Sequence, residues 1–318
     1  MSERNVIILG TASQVPTRYR NHNGYFIRWD KEGFLFDPGE GTQRKMIYAG
    51  ISSSNITKIF ITHFHGDHCL GLPGIIQRIS LDKVNHPVEI YYPASGQKYY
   101  ENLKEACIFH GTSNIQEHPI SSPGIIFKND KITIETKNLE HTVDTWGYRI
   151  QENKDYTMLP IKLAAAGIKG KAVREVKSLG KINIDNHTVY LEDVSVPKLV
   201  QSMAFVMDTR LCPAVYELAK KVDLMICEST YLSSEEEEAE KYYHLTASQA
   251  AGIAKTSNVK KLVLTHFSQR YSSNEEFVKE ASIIHSNVIA VKDEDIVTFP
   301  ERKRVLYWKS KGFLLPLC

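Results

Sequence analysis

The sequence predicts an α/β fold built from two related halves, and three observations support this prediction. Short apolar runs rich in β-branched residues, such as residues 59–61 and 202–207, are typical of strands that are covered on both faces. Histidine or aspartate follows these runs at their carboxyl ends, where open α/β layers gather their ligands. Residues 54–64 are also echoed by residues 257–267, because both have a polar lead-in, a strand and a terminal histidine.

The bulk properties of the chain fit a single catalytic domain over residues 1–318. A chain of 318 residues is long enough for a sizeable core and accommodates one large or two smaller domains. Its five cysteines include no close pair, which indicates neither a disulfide framework nor a zinc ribbon. We find no signal peptide and no apolar run that could cross a membrane, so we expect a cytoplasmic protein. The net charge of +2 is too small to indicate nucleic-acid binding by itself.

The densest cluster of reactive side chains lies at residues 61–68, which read Ile-Thr-His-Phe-His-Gly-Asp-His. His63 and His65 point the same way in an extended chain, because strand side chains alternate. We expect Gly66 to allow a tight turn, so that Asp67 and His68 face the same cavity. Mixed imidazole and carboxylate ligands are typical of catalytic zinc sites. The alternative is a polar loop with coincidental histidines, and the density of the cluster favours a metal site.

Three further candidates follow other predicted strands. His266 ends the strand of the echoed segment, so we expect it to meet the first cluster from the second half of the fold. Asp208 follows the buried run at residues 202–207, and His141 lies between two extended stretches. Taken alone, these residues would more often be a strand-end histidine, a turn aspartate and a surface histidine.

These motifs together resemble the metallo-β-lactamase superfamily, whose signature is His-x-His-x-Asp-His followed by a separate His, an Asp and a final His. The histidine-rich segment at residues 61–68 is by itself specific only to the superfamily, which also includes lactonases, thioesterases and phosphodiesterases. Other segments are similar to its ribonuclease Z branch, the tRNA 3′-processing endonucleases, over nearly the whole chain. These segments are residues 9–16, 36–43, 71–74, 227–231, 243–247 and 265–271.

The resemblance implies a four-layer αβ/βα sandwich of the metallo-β-lactamase type, with two zinc ions per subunit at the junction of its halves. The ligands that it implies for one ion are His63, His65 and His141. The ligands that it implies for the other ion are Asp67, His68 and His266. Asp208 would bridge the two ions, because only a carboxylate offers two anionic oxygens. Such a pair lowers the pKa of a shared water to about 7 and clamps the attacking and leaving oxygens. Manganese is the alternative to zinc.

The resemblance also implies two catalytic roles. Asp67 would accept a proton from the nucleophilic water, and His244 would donate one to the leaving 3′-oxygen. As an alternative, His244 is part of a helix cap, because Thr246 and Gln249 have the spacing of a capping box. Glu228 is a candidate partner that orients His244, and its alternative role is a strand-end carboxylate bonded to backbone.

A basic segment separates the third histidine ligand from the bridging aspartate. Over residues 162–181 only Glu175 opposes the basic residues, and alanines and glycines make the segment small and flexible. The basic residues are Lys162, Lys169, Lys171, Arg174, Lys177 and Lys181. The resemblance implies that residues 155–185 form a protruding arm, a tRNA-binding exosite whose lysines and arginines hold phosphates. The alternative is a solvated, lysine-rich surface hairpin.

The implied function is zinc-dependent endonucleolytic removal of the 3′ trailer from precursor tRNA. The product tRNA would carry a 3′-hydroxyl and the trailer a 5′-phosphate, and the enzyme would act as a homodimer. One alternative is a small-molecule hydrolase of the same fold, a cyclic phosphodiesterase or lactonase, which would lack the basic arm. Another is an RNA-binding protein with a degenerate site, which the complete ligand set disfavours. Arg18 and Arg20 are candidate RNA contacts, and the tail at residues 301–318 is a candidate contact for RNA, a second subunit or the core.

Overall fold

The computed structural model describes residues 4–185 and 187–302, and the chain divides into two compact units. The described part of the larger unit consists of residues 4–129, Thr133–Ile150 and Ser202–Pro300. The described part of the smaller unit consists of Asp130–Ile132, Gln151–Gln201 and residues 301–302. The tail predicted as a contact segment lies outside the described residues from position 303 onward.

The chain alternates between strands and helices along most of its described length. The strands are β1 (Arg4–Gly10), β2 (Gly24–Trp29), β3 (Glu32–Phe36), β4 (Lys58–Phe60), β5 (Val88–Pro93), β6 (Ile115–Ile120), β7 (Gly124–Lys128), β8 (Ile132–Leu139), β9 (Thr145–Glu152), β10 (Tyr156–Met158), β11 (Lys181–Ile184), β12 (His187–Tyr190), β13 (Ser195–Pro197), β14 (Ser202–Val206), β15 (Leu224–Glu228), β16 (Lys261–Thr265), β17 (Val288–Ala290) and β18 (Ile296–Thr298). The helices are α1 (Thr42–Tyr48), α2 (Gly66–Cys69), α3 (Leu72–Leu81), α4 (Gln97–Lys104), α5 (Pro160–Ala165), α6 (Lys171–Leu179), α7 (Leu191–Val194), α8 (Pro213–Ala219), α9 (Glu236–Lys241), α10 (Ala247–Thr256) and α11 (Glu275–Ser282). None of these described helices is long and apolar enough to cross a membrane.

Two seven-stranded sheets form the framework of the larger unit. The first has the order β18-β1-β2-β3-β4-β5-β6, and the second has the order β17-β16-β15-β14-β9-β8-β7. Within the first sheet, β3 to β6 run parallel to one another, and within the second, β14 to β17 do so. Each sheet therefore has a block of parallel strands whose carboxyl ends lie at one edge, as the prediction of two related halves requires.

Aromatic side chains fill the space between the two sheets. The ring of Phe36 on β3 lies 4.6 Å from that of Phe60 on β4 and 4.4 Å from that of Phe205 on β14. Tyr148 on β9 contacts Phe36 and Phe60 at 5.7 and 5.2 Å between ring centroids. Helices cover the other face of each sheet, so these strands are buried on both sides, and this explains their nearly continuous apolar sequences.

Helices pack on the outer faces through apolar stripes. Helix α3 buries Leu72, Ile75, Ile76 and Ile79, a spacing that places all four side chains on one face of the helix. These residues share an apolar cluster with the first sheet, and helices α8, α10 and α11 form a comparable cluster with the second. The order is therefore helix, sheet, sheet, helix.

The smaller unit has its own apolar cluster. Strands β10 and β13 pair with each other, and β11 and β12 form a hairpin. Residues Leu163, Ile168 and Val176 are buried together with three others: Ile182, Leu191 and Val194. The expectation of a small, flexible segment over residues 162–181 is wrong in this respect. Helices α5 and α6 form there because these sparse apolar residues converge on a common core.

Candidate metal centre

The first ligand cluster lies in the loop that leaves β4. His65 has extended backbone angles and lies at the start of helix α2, which begins at Gly66. Gly66 does not adopt the left-handed backbone conformation that glycine favours. The predicted tight turn at Gly66 is therefore wrong, because a short helix redirects the chain at Asp67 and His68. The side chains of both residues nevertheless face the same buried space as His63.

Four side chains converge on one side of this space. Nε2 of His63 and Nε2 of His141 lie 3.0 and 3.3 Å from Nδ1 of His65. Oδ2 of Asp208 is 3.6 Å from Nε2 of His63 and 3.7 Å from Nε2 of His141. One ligand atom from each of the four residues lies within 4.8 Å of the others, a spacing that suits one shared cation.

Three side chains converge on the other side. Oδ2 of Asp67 lies 3.3 Å from Nε2 of His68 and 3.6 Å from Nε2 of His266. Asp208 reaches this group as well, since its Oδ2 is 3.3 Å from Nε2 of His68 and its Oδ1 is 3.1 Å from Nε2 of His266. The structure thus brings together all seven predicted ligands, with Asp208 between the two groups as expected for a bridging carboxylate.

Several of these residues have strained backbone angles. Asp208 has φ 49°, His266 has φ 61° and Asp37, which follows β3, has φ 43°. Each such conformation in a residue other than glycine costs on the order of 1–3 kcal/mol and persists only where the surroundings enforce it. The hydrogen bonds around the two ligand groups provide this constraint.

A buried carboxylate orients the histidines of the first half. Asp37 accepts hydrogen bonds at 2.8 Å from both the backbone N–H and the hydroxyl of Thr62. Asp37 also lies 2.9 Å from Nδ1 of His68, and the hydroxyl oxygen of Thr62 lies 2.9 Å from Nδ1 of His63. Because the hydroxyl donates to Asp37, its oxygen accepts from Nδ1–H of His63. Nε2 of His63 then keeps its lone pair for a cation.

The second half repeats this arrangement. The hydroxyl of Thr230 donates to Oε2 of Glu228 at 2.7 Å, and its oxygen lies 2.8 Å from Nδ1 of His266. Oε1 of Glu228 lies 3.0 Å from Nδ1 of His244. The sequence predicts Glu228 as the partner of His244. It assigns no role to Asp37, Thr62 or Thr230, although Asp37 and Thr230 lie in segments that carry the family resemblance and Thr62 directly precedes His63.

The protonation states of Asp208 and of three histidines favour cation binding. Burial lowers the pKa of His63 and His65 and lowers that of His141 to about 4, so these rings are neutral. Burial would raise the pKa of Asp208, but the imidazoles of His266 and His68 hold it well below its usual range. Neutral imidazoles with an ionised carboxylate are the form in which these side chains bind divalent metals. For His68, burial would lower the pKa, but the carboxylates of Asp208 and Asp67 raise it well above its usual range, so a cation would bind this ring by displacing a proton.

Two atoms of the centre lack a hydrogen-bond partner among the residues that the structure describes. They are Oδ1 of Asp208 and Nε2 of His266, and both are buried. A buried polar atom left unsatisfied costs on the order of 1–3 kcal/mol. A divalent cation held between these side chains would satisfy both atoms, so the residues fit the metal that the sequence predicts.

Comparison with known proteins identifies the family. Residues 17–136 match the metallo-beta-lactamase superfamily. The chain is 51% identical to ribonuclease Z of Nocardia farcinica over 305 residues, which cover 95% of this chain and 100% of that protein. It is 48% identical to ribonuclease Z of Chlamydia muridarum over 301 residues, covering 95% and 99% of the two chains. The chain belongs to the ribonuclease Z family.

Solved structures confirm the fold class. The short form of human tRNase Z aligns with a TM-score of 0.68 at 24% identity, over 93% of this chain and 100% of that one. The long form of RNase Z from yeast aligns with a TM-score of 0.64 at 18% identity, over 93% of this chain and 42% of that one. At these identities the likeness shows the fold alone, and it confirms the predicted sandwich of the metallo-β-lactamase type.

In this member of the ribonuclease Z family, His244 lies beside both ligand groups. Its ring centroid is 5.2 Å from that of His141 and 5.3 Å from that of His266. The predicted capping box is confirmed, since Thr246 and Gln249 exchange hydrogen bonds of 3.2 and 3.0 Å at the start of α10. His244 is outside that cap, so the alternative reading of this histidine as a capping residue is wrong.

The two arginines predicted to contact RNA differ in exposure. Arg18 is exposed, whereas Arg20 is buried and donates to the side chain of Asn274 at 2.5 Å and to the carbonyl of Ser268 at 3.4 Å. Arg20 thus anchors the loop in which it lies, and its prediction as an RNA contact is wrong. The sequence could not show that Arg20 is buried and Arg18 exposed, because Arg20 contacts residues that lie more than 240 positions away in the chain.

Proposed function

We propose that the chain is a metal-dependent endoribonuclease that removes the 3′ trailer from precursor tRNA. It leaves a 3′-hydroxyl on the tRNA and a 5′-phosphate on the trailer. The observation that carries the proposal is the pair of ligand groups that share Asp208, in a chain 51% identical to a ribonuclease Z. This constellation suits a phosphodiester hydrolase, because the phosphate and the attacking and leaving oxygens all carry or develop negative charge that two cations would neutralise.

Two zinc ions per subunit, with manganese as the alternative, suit the donor set. His63, His65 and His141 would hold one ion, and Asp208 would bridge it to the second. The remaining ligands would hold the second ion: Asp67, His68 and His266. When bound, such a pair lowers the pKa of a water molecule and neutralises charge on phosphate oxygens. Histidine and carboxylate without cysteine favour a catalytic centre over a structural one.

The protein side chains supply the proton transfers. Oδ2 of Asp67 already accepts a hydrogen bond from the backbone N–H of Gln14 at 2.8 Å, and we assign it to accept the proton of the attacking water. Glu228 holds Nδ1 of His244, which leaves the Nε2 proton of that ring for the leaving 3′-oxygen. Attack and departure therefore use different side chains, as in-line displacement requires.

Basic side chains of the smaller unit would bind the phosphate backbone of the tRNA. Lys169, Lys171 and Arg174 are exposed and form no ion pair with any residue that the structure describes. Lys177, in contrast, forms an ion pair with Asp155 at 2.7 Å. Unpaired, exposed cations suit the phosphate backbone, because their charge is not already neutralised within the protein.

The proposal includes a homodimer in the cytoplasm. In the arrangement that the family resemblance implies, the arm over residues 155–185 of one subunit presents tRNA to the active site of the other. Light scattering of the purified protein should then give a mass near twice the 36.2 kDa of one chain. A mass of one chain at micromolar concentration would remove this part of the proposal.

The function is tested by mapping the products of a tRNA precursor with a defined trailer. We expect one cut, a tRNA that ends in a 3′-hydroxyl, and a trailer that an adaptor ligase accepts through its 5′-phosphate. The Asp208→Ala variant, tested in parallel, should cut neither this precursor nor a small activated phosphodiester. An intact precursor beside a hydrolysed small diester would favour the small-molecule hydrolase. Progressive shortening of the trailer would identify an exonuclease.

A further inference from the structure

Three loops that carry site residues meet at one surface side chain, the guanidinium of Arg210. Its Nε donates to Oε2 of Glu140 at 2.9 Å, and its Nη1 donates to Oε1 of Glu240 at 3.0 Å. The same guanidinium lies over the ring of Tyr243, with its carbon 4.4 Å from the ring centroid. One planar group thus contacts three side chains in three different directions.

Each of these loops contributes a residue to the candidate metal centre. Glu140 directly precedes His141, and Tyr243 directly precedes His244. Arg210 itself stands two positions after Asp208. The contacts therefore join the loops at the points where a small shift would move a site residue.

The backbone around Tyr243 shows which site residue is most sensitive. The carbonyl of Tyr243 lies 3.1 Å from Nδ1 of His141 and accepts its proton. Tyr243 has φ 59°, a left-handed conformation that a tyrosine adopts only under constraint. If this residue relaxed, its carbonyl would turn away from His141. The imidazole would lose the acceptor that keeps its proton on Nδ1 and its Nε2 lone pair toward the cation.

We propose that Arg210 is a positioning residue that holds the Tyr243 carbonyl against His141. It thereby sets the affinity of the ion that His63, His65 and His141 would hold. This inference rests on the proposed metal centre. Arg210 does not touch the ligands, and it acts through the ring of Tyr243 and through the carboxylates of its two partners.

A purely stabilising role accounts poorly for these contacts. Arg210, Glu140 and Glu240 are each at least one-third exposed, so solvent screens their attraction. Arginine suits a brace better than lysine, because its planar fork donates in two directions while its face stacks on an aromatic ring. The expected effect of its loss is therefore local, and it acts on His141 through the carbonyl of Tyr243.

The experiment titrates zinc into metal-free protein against a chromophoric chelator, with no RNA present. Arg210→Gln should weaken one of the two ions by about 10- to 100-fold and leave the other unchanged, as loss of a group that orients a ligand does. Arg210→Lys should weaken the same ion, because it keeps the charge but lacks the fork. The matched control is Arg44→Gln, since Arg44 also stacks on a tyrosine, Tyr48, but lies in helix α1 and contacts no ligand loop. This control should bind both ions normally.

A second readout follows the proton itself. In ¹⁵N-histidine NMR of the metal-free protein, His141 should show a single Nδ1–H tautomer in the wild type and a mixture in Arg210→Gln. Should that variant fail to fold, Glu240→Gln removes the charge of one partner of Arg210 and should shift both readouts in the same direction.

Two results would overturn the inference. One is an equal weakening of both ions together with a fall in the melting temperature of the metal-free variant, which would mean a general structural role. The other is unchanged affinity for both ions. A wild-type protein that binds no pair of ions would instead contradict the proposed centre itself, so the two failures are distinguishable.

Discussion

His244 lies beside both ligand groups, and its ring is hydrogen-bonded to the carboxylate of Glu228. Glu228 lies 3.0 Å from its Nδ1 and also accepts hydrogen bonds from the backbone N–H groups of Thr209 and Leu245 at 2.7 and 3.2 Å. Burial would lower the pKa of His244, but the charge of Glu228 raises it to about 9. The imidazole is therefore protonated at neutral pH, as a proton donor must be.

Replacing His244 by Ala should separate chemistry from metal binding. We expect a fall in the cleavage rate of about two to four orders of magnitude, because acid catalysis is lost. Both ions should remain, since each keeps its assigned ligands. The measurement pairs single-turnover kinetics with metal analysis of the same sample. His244 also lies within 4.8 Å of Asp208 and His266 through its ligand atom, so loss of an ion would identify it as a ligand instead.

The two buried threonines provide a matched pair of tests. Thr62→Val and Thr230→Val remove a hydroxyl while keeping the shape, so His63 or His266 loses the acceptor for its Nδ1 proton. Thr62→Val should weaken the ion that His63 would hold more than the other ion, and Thr230→Val should do the reverse for the ion that His266 would hold, each by about 10- to 100-fold. Thr136→Val is the control, because the hydroxyl of this buried threonine donates to the backbone carbonyl of Gly147 at 2.8 Å, on strands β8 and β9. Zinc titration that shows equal loss in all three variants would contradict the orienting role.

At the scale of elements, the arm needs a test that leaves its fold intact. Deleting residues 164–178 would remove Ile168 and Val176 from the apolar cluster of the smaller unit and would unfold it. Charge neutralisation avoids this problem, because the side chains of Lys169, Lys171 and Arg174 are exposed.

The triple Gln variant of these three residues should therefore bind precursor tRNA more weakly and with a flatter salt dependence. Each lost phosphate contact removes about one unit of the slope of log K against log salt. Hydrolysis of a small activated phosphodiester should be unchanged, since such a substrate cannot use remote binding energy. The control neutralises three exposed lysines of the larger unit: Lys83, Lys255 and Lys279. An unchanged salt slope in the arm variant would remove the arm from tRNA recognition.

The elements also show what the sequence could and could not predict. Strand-end residues such as His63, Asp208 and His266 were predictable, because apolar runs mark strands and parallel strands end at a common edge. Helix α6 of the smaller unit has a local signal as well, because Ala172, Val173 and Val176 recur at helical spacing and pack on one core. The partner of this face could not be predicted, since its burial depends on contacts with α5 and the β11–β12 hairpin.

Over the whole molecule, the sequence repeat predicts the matching histidines of the two halves but not the matching threonines that orient them. The echo between residues 54–64 and 257–267 aligns Thr62 with Thr265. In the structure the counterpart of Thr62 is Thr230, which follows a different strand and contacts His266. A single threonine after a strand has no distinguishing pattern. The carboxylate–threonine–histidine arrangement could therefore be recognised only once the fold had brought the strand ends together.

Seven side chains from both halves would form one centre for two ions. Metal analysis of wild type and Asp208→Ala tests this directly, with cleavage of precursor tRNA measured as zinc is added back to chelated protein. We predict two ions per wild-type chain and activity that returns only as both sites fill. Asp208→Ala should lose bound metal and turnover together, because its carboxylate contacts ligands of both groups. Near-normal metal content with a normal rate in Asp208→Ala, or full wild-type activity with a single ion, would contradict the account.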